Sequence, residues 1–391
     1  MSSKANTKPT SALSVNTSQK GTQEVYFCNL EKLTPKALVQ ASPAAKLLSD
    51  RQAVVLVDKR VHSLWAEQLE AAPILKDSAM LLLPVGEKAK TLPTCETTLR
   101  SLAKLGASRN DHYIIAVGGG ALLDAAGFVA SLYHRGIPIV HIPTTLLGMV
   151  DATLGGKTAV NFLGSKNQLG TFHLPALTLL SLDFLSTLTE EHLRDGLIES
   201  VKMAFLSSTR DLDAAIHNAA KVLDGDQDAA SRLILAALRN KSPYVRDDML
   251  DQGKRTLLNL GHTTGHALEA VYGGRMSHGN AVGNGILVAM EIARGMKKLT
   301  KRTPALIDDM LTSCAFSPLM VQDAEHLSRL LWGSIAADKK TVAGKCMFVL
   351  PLAPGKAELA EVDMETYTEA AVRVFQQPAP VAESPLDDDE E

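Results

Sequence analysis

The chain has 391 residues, 46% of them hydrophobic and 21% charged, and its 40 basic against 43 acidic side chains leave a net charge of −3. At roughly 150 residues per domain this is a two-domain length, able to bury about three quarters of its unfolded surface without a disulfide or metal. The charge balance argues against a nucleic-acid partner, which would demand a basic surplus, and no apolar run reaches the roughly 18 residues needed to span a bilayer. Cys28, Cys95, Cys314 and Cys346 are far apart and form no C-x-x-C pair, so a reducing cytoplasm is the expected compartment.

Residues 1–22 are rich in Ser, Thr and Lys and have no apolar core, so they read as a disordered extension. Organellar import is the less favoured reading, since the segment has no Arg. From residue 23 to about 185, AVVLVD (53–58), AMLLLPV (79–85), HYIIAVGGG (112–120) and IPIVHIPTT (137–145) read as buried strands, with helical stretches at 62–71, 92–105 and 121–134 between them. That alternation predicts βαβ units and a mainly parallel sheet. From 186 to 375 the texture becomes Leu- and Ala-rich, with helical periodicity at 189–223, 227–249, 262–273, 279–297 and 303–315, which predicts a helical domain. Residues 376–391 carry three prolines and end in five acidic residues, and are expected to be a disordered acidic tail.

Three stretches carry chemistry. Strand 112–117 runs into Gly118, Gly119 and Gly120 and then an apolar helix. Glycines there let backbone amides approach a phosphate at a helix N-terminus, although they also serve a plain turn. Asp124 follows on the first turn, and Asp58 ends an earlier strand where a carboxylate meets a ribose hydroxyl in nucleotide folds; an exposed turn is the alternative. Residues 143–175 place Asp151, Lys157, Asn161, Lys166 and Asn167 within seventeen residues, beside Gly155 and Gly156. Lysines beside glycines suit an anionic substrate, and a solvated loop is the bland reading.

The strongest local signal is KRTLLNLGHTTGHALEAVYGGRMSHGN (254–280). His262 and His266 share one helix face, Glu269 follows, and His278 heads another helix. Three histidines in seventeen residues fit a zinc site or a buried polar network. The spacing is not H-E-x-x-H, so the metalloprotease reading fails. A distant carboxylate would complete the set, and Glu199, with Lys202 at i+3, is a candidate; an ordinary helix ion pair is the alternative.

Together these segments resemble the dehydroquinate synthase family of sugar-phosphate cyclases. The resemblance runs from about Asp58 to Pro354 through GEKAKT (86–91), GGGALLDAAGF (118–128), YHRGIPIVHIPTTLL (133–147), VDATLGGKTAVN (150–161), KNQLGTFHLP (166–175), GLIESVK (196–202), RTLLNLGHTTGHALE (255–269), SHGNAV (277–282) and DKK (338–340). It implies an N-terminal Rossmann-like NAD-binding α/β domain, an all-α metal-binding C-terminal domain, and a site between them. Zinc, with cobalt as a substitute, is implied on Glu199, His262 and His278, and His266 as the proton-handling histidine. Lys157, Lys202, Asp151 and Asn259 join it as catalytic residues. NAD is implied at Asp58, Gly86, Glu87, Lys88, Lys90, Gly119, Gly120, Asp124, Thr144, Thr145, Lys166, Phe184 and Thr187. Arg135, Asn167, Lys241 and Arg255 are implied to hold substrate carboxylate and phosphate. Arg135 would act across the interface of a homodimer. The implied reaction converts 3-deoxy-D-arabino-heptulosonate 7-phosphate to 3-dehydroquinate and phosphate, within the shikimate pathway.

Four positions depart from the family pattern. Leu123 replaces Gly, Asn280 replaces the Glu of HGE, Asp251 replaces Glu, and Met203 replaces Tyr. Leu123 would disturb its turn unless its φ stays negative, and Asn280 removes a charge beside a ligand. A sibling cyclase using another sugar phosphate such as sedoheptulose 7-phosphate, and a zinc polyol dehydrogenase of the glycerol dehydrogenase type, remain as alternatives.

Overall fold

The computed structural model describes residues 9–17, 21–338 and 344–377. Its first half contains β1 (Thr10–Thr17), β2 (Gly21–Phe27), α1 (Pro35–Ala41), β3 (Gln52–Asp58), α2 (Lys59–Ala71), β4 (Ala79–Leu83), α3 (Leu92–Lys104), β5 (His112–Gly118), α4 (Gly120–Leu132), β6 (Ile139–Pro143), β7 (Lys157–Phe162), β8 (Ser165–Phe172) and β9 (Leu177–Leu180). The second half contains α5 (Glu190–Phe205), α6 (Thr209–Leu223), α7 (Gln227–Asp247), α8 (His262–Val271), α9 (His278–Gly295), α10 (Thr303–Thr312), α11 (Ala324–Asp338), β10 (Cys346–Ala353), β11 (Lys356–Val362) and α12 (Met364–Phe375).

Seven strands form one sheet in the order β1-β2-β9-β6-β5-β3-β4. Every neighbouring pair is parallel except β1–β2. Val54–Val57 and Tyr113–Val117 are buried without alternation, as a sheet covered on both faces requires. Val55, Ile115 and Val140 face one apolar cluster that continues through Leu197, Ile198 and Val201 of α5 into the helices. Leu56, Ile114 and Ile139 face a second cluster under α3 and α4.

The N-terminal expectation is corrected over 10–17. Those residues form an edge strand, because β2 pairs with distant β9, Val25 opposite Thr178, and offers β1 a template. The periodic stretch 189–223 is two helices. α5 ends at Phe205, and the Ser208 hydroxyl caps α6 by accepting from the Asp211 amide at 3.1 Å. The helical half also carries α11, the β10–β11 hairpin and α12, which the sequence reading did not mark. Order continues one step past the expected tail boundary, where Gln376 bridges to Val321. Residues 378–391, the first eight residues, and Lys339 and Lys340 of the DKK motif lie outside the described residues. Among the described residues no helix is long and apolar enough to cross a membrane.

Two features of this packing position the site. α8 and α9 cross at backbone contact, since a Cβ at Gly285 would stand 1.9 Å from the Gly261 carbonyl oxygen. Gly261 itself has φ +81, which an L side chain rarely adopts. At the other end of the contact the Gly279 amide donates to the Asp195 carboxylate at 2.7 Å, tying the start of α9 to α5. His278 is thereby brought beside both His262 and Glu199.

Candidate active site

A cavity of about 560 Å³ opens between the sheet and the helices. Its helical wall carries Glu199 and Lys202 from α5, Lys241 from α7, Asn259 and Arg255 from the turn before α8, His262, His266 and Glu269 from α8, and His278 from α9. Its sheet-side wall carries Glu87, Lys90, Gly120, Asp124, Asp151, Lys157, Lys166 and Asn167.

Glu199 is 1% exposed. Its Oε2 pairs with Lys202 Nζ at 2.7 Å, while Oε1 is buried with no hydrogen-bond partner among the described residues. Facing Oε1 are His262 Nε2 at 3.7 Å and His278 Nε2 at 3.5 Å, and the three groups offer ligand atoms within 4.8 Å of one another. Tetrahedral zinc with bonds of about 2.1 Å has ligand–ligand edges of about 3.4 Å, so the set fits a cation. His262 Nδ1 donates to the Leu260 carbonyl and His278 Nδ1 to Glu269, each at 3.3 Å, which turns both Nε2 atoms inward. Burial opposes charge on Glu199, but Lys202 and the two imidazoles hold its carboxyl well below the usual range. Burial would likewise discharge His278, yet the Glu199 and Glu269 carboxylates beside it push it up to about 10. A metal ion would take the place of that proton. His266 is not one of the three converging groups, and its ring packs edge-on against that of His262 with centroids 5.3 Å apart.

Cations and acids alternate along the rest of the wall. Lys241, 4% exposed, donates to the Asp151 carbonyl at 2.5 Å and pairs with its carboxylate. Lys157 pairs with Asp251, and Lys166 lies 3.4 Å from Glu269. Buried Lys90 bridges Asp124 at 2.7 Å and the Asn167 amide oxygen. Burial lifts the Asp124 carboxyl above its ordinary value despite Lys90. Arg255 is 4% exposed, and its Nη1 donates to the Met249 carbonyl at 2.6 Å. Its guanidinium lies on the backbone of Gly155, where a Cβ would come within 2.0 Å of Nη2.

The glycine loop leaves α4 without a side-chain cap at Gly119, and no atom beyond its own neighbourhood lies within 4 Å of a Cβ placed on Gly120. There is therefore open room beside the first residue of α4, where a phosphate could approach a helix N-terminus. Leu123 sits inside α4, fully buried and without positive φ, so it leaves the turn undisturbed. The His278 ring is oriented by Glu269, while the Asn280 amide donates to the Ser277 hydroxyl that caps α9. Met203 lies buried on the cavity wall, and Asp251 adopts φ +56 to reach Lys157.

Several expected cofactor residues stand outside this cavity. Asp58 is 6% exposed and caps α2, accepting from the Arg60 amide at 2.7 Å and from the Gly86 amide at 3.3 Å; it is neither an exposed turn nor on the cavity wall. Lys88 is exposed, Thr144 is buried, and the Thr145 hydroxyl accepts from the Gly148 amide. Phe184 lines a separate cavity of about 290 Å³ against Trp65, whose indole donates to Thr187 at 3.0 Å. Arg135 is exposed at φ +62, away from the cavity. The sequence reading left Glu269 without a role and passed over Gln23, whose contacts are non-local.

Known proteins carry the same pattern. The family model for the 3-dehydroquinate synthase N-terminal region matches residues 80–195, and that for the C-terminal region matches 196–341. The 3-dehydroquinate synthase of Pyrococcus furiosus is 35% identical over 327 residues, covering 83% of this chain and 92% of its own length. That of Xanthomonas axonopodis pv. citri is 35% identical over 355 residues, covering 87% and 93%. Among solved structures, 2-epi-5-epi-valiolone synthase from Streptomyces hygroscopicus subsp. jinggangensis, with NAD+ and Zn2+ bound, superposes with a TM-score of 0.77 at 28% identity over 92% of this chain and 98% of its own. A 2-deoxy-scyllo-inosose synthase shares the fold, with a TM-score of 0.79 at 22% identity, covering 94% and 100%. A probable glycerol dehydrogenase from Sinorhizobium meliloti shares it more distantly, with a TM-score of 0.58 at 14% identity, covering 87% and 93%. On the paired family models, and on relatives matched over nearly their whole length, the chain belongs to the 3-dehydroquinate synthase family.

Proposed function

We propose that the protein is a 3-dehydroquinate synthase, converting 3-deoxy-D-arabino-heptulosonate 7-phosphate to 3-dehydroquinate and phosphate in the cytoplasm, as a homodimer, on the route to aromatic amino acids. The observation that carries the reading is one cavity uniting the Glu199–His262–His278 cluster, an uncapped helix N-terminus and four cations: Lys157, Lys202, Lys241 and Arg255. Bound zinc or cobalt would polarise a substrate hydroxyl, and bound NAD would accept and return a hydride.

Glu199, His262 and His278 would hold the metal, and Gly119, Gly120, Asp124, Glu87, Lys90 and Lys166 would hold NAD. Asp58, Gly86, Lys88, Thr144, Thr145, Phe184 and Thr187 support the rest, Asp58 through the Gly86 backbone it holds. Lys241 and Arg255 meet the substrate carboxylate. Lys157, Asn167 and Asn259 take the remaining polar groups, and Arg135 reaches the site of the neighbouring protomer. His266, exposed at the cavity rim, takes and returns protons. Asp151 keeps Lys241 charged, and Lys202 does the same for Glu199. Fixing both anionic ends of a flexible sugar supplies a large part of the rate.

The test is phosphate release from the heptulosonate phosphate with NAD at catalytic concentration, beside a parallel assay on sedoheptulose 7-phosphate, with and without a chelator. Phosphate release that needs metal and leaves no NADH supports the reading. Stoichiometric NADH, or turnover of the sedoheptulose phosphate alone, overturns it.

A further inference from the structure

The geometry assigns Gln23, in the N-terminal hairpin, as a positioning residue for the anion-binding wall of the cavity. This rests on the cyclase reading for its kinetic consequence but not for its structural one. Gln23 is 1% exposed in the middle of β2. Its Oε1 accepts from the Gly155 amide at 2.9 Å, and its Nε2 points at the Thr153 carbonyl at 3.4 Å. One side-chain amide thus addresses two backbone groups of the turn that follows Asp151, across about 130 residues of sequence.

The turn is held on either side of this contact, by the Thr153 hydroxyl donating to the Gly148 carbonyl at 3.0 Å and by the His173 amide donating to the Gly156 carbonyl at 2.8 Å, and Gln23 meets the Gly155 amide between them. Gly155 and Gly156 have φ of +105 and +58, and two consecutive glycines lose more conformational freedom on ordering than any other pair. The turn nonetheless sets two features of the wall. Its next residue is Lys157, and its buried backbone at Gly155 is the surface on which the Arg255 guanidinium lies. A buried amide with its donor towards a carbonyl and its acceptor towards an N–H fixes the direction of the chain there. Leaving that N–H without an acceptor would instead favour a turn reoriented towards water. Gln23 touches neither cavity nor substrate, so it acts through Arg255 and Lys157.

Gln23→Met keeps the size and removes both contacts, whereas Gln23→Glu keeps the acceptor for Gly155. An interaction made equally in the ground and transition states moves KM and leaves kcat alone. Gln23→Met is therefore expected to raise KM for the heptulosonate phosphate by about tenfold, with kcat within about threefold of the parent and NAD affinity unchanged. The Gly155 amide should exchange faster with solvent deuterium while the sheet amides keep their protection. Gln23→Glu, which keeps the acceptor but sets an oxygen against the Thr153 carbonyl, should give a KM between those of the parent and Gln23→Met. Parental KM and Gly155 exchange in Gln23→Met would overturn the assignment, as would loss of protection spread across the whole sheet. If the parent protein does not turn over this substrate, the cyclase reading fails by itself, and Gly155 exchange still decides whether Gln23 clamps the turn.

Discussion

Substituting His141 by leucine tests how much of the acid sensitivity of this fold comes from one buried imidazole. His141 lies on β6 opposite Ala116 of β5 and Thr178 of β9, 4% exposed, and neither ring nitrogen has a hydrogen-bond partner among the described residues. Burial, assisted by the charge of His173, lowers its pKa from 6.5 to about 3. The unfolded chain takes up a proton near 6.5, whereas the folded chain refuses one until about 3. Stability is therefore complete above 6.5 and is lost as pH falls towards 3. Each unit between the two values costs about 1.4 kcal/mol, so the penalty grows by about 2 kcal/mol from pH 7 to pH 5, with a ceiling near 5 kcal/mol below pH 3. Leucine has a similar volume and no polar atom, so at pH 7 the variant should equal the parent or exceed it by about 1–3 kcal/mol, the cost of an unsatisfied buried group. Urea unfolding followed by Trp65 fluorescence in a Trp332→Phe background, at both pH values and with matched m-values, measures the gap. The gap should widen by about 2 kcal/mol at pH 5. An equal gap at both pH values, or an NMR titration of His141 near 6.5, would refute the argument.

Two further outcomes are expected. Gly155→Ala places a Cβ 2.0 Å from Arg255 Nη2 at a residue with φ +105, so the guanidinium must leave; kcat/KM should fall by at least about 100-fold, with NAD affinity retained. A kcat/KM within a few-fold of the parent would show that Arg255 does not need that surface. Glu269→Gln weakens the acceptor that orients His278, and zinc affinity measured by chelator competition should drop about 10–100-fold. Unchanged affinity would separate Glu269 from the metal centre.

The strands β3, β5 and β6 were legible because burial on both faces demands continuous β-branched runs. Helices α3, α4 and α7 were legible from their periodicity. Strand β1 was not, since TSALSVNT is polar and becomes a strand only through a partner that itself depends on β9. The break at 206–208 was hidden because apolar periodicity continues across it, and only the Ser208 cap marks it. In the site, the residue types and their order were visible: histidines one helical turn apart, a glycine loop after a strand, lysines beside glycines. Apart from Glu199 and Lys202 on one helix, their pairing was not. Lys166, expected at NAD, also faces Glu269, and Asp58, expected at the nucleotide, also caps α2.

Local sequence alone determined the inventory of chemistry and the change from a βαβ texture to a helical one, because propensity, periodicity and backbone freedom are properties of neighbouring residues. The assembly of Glu199, His262 and His278 around one point was decided only by tertiary structure. It depends on two helices crossing at Gly261 and Gly285 and on an Asp195–Gly279 bond, and such contacts between distant segments leave no periodic trace in the chain. The same holds for Gln23, whose importance comes entirely from the turn that folding lays against it.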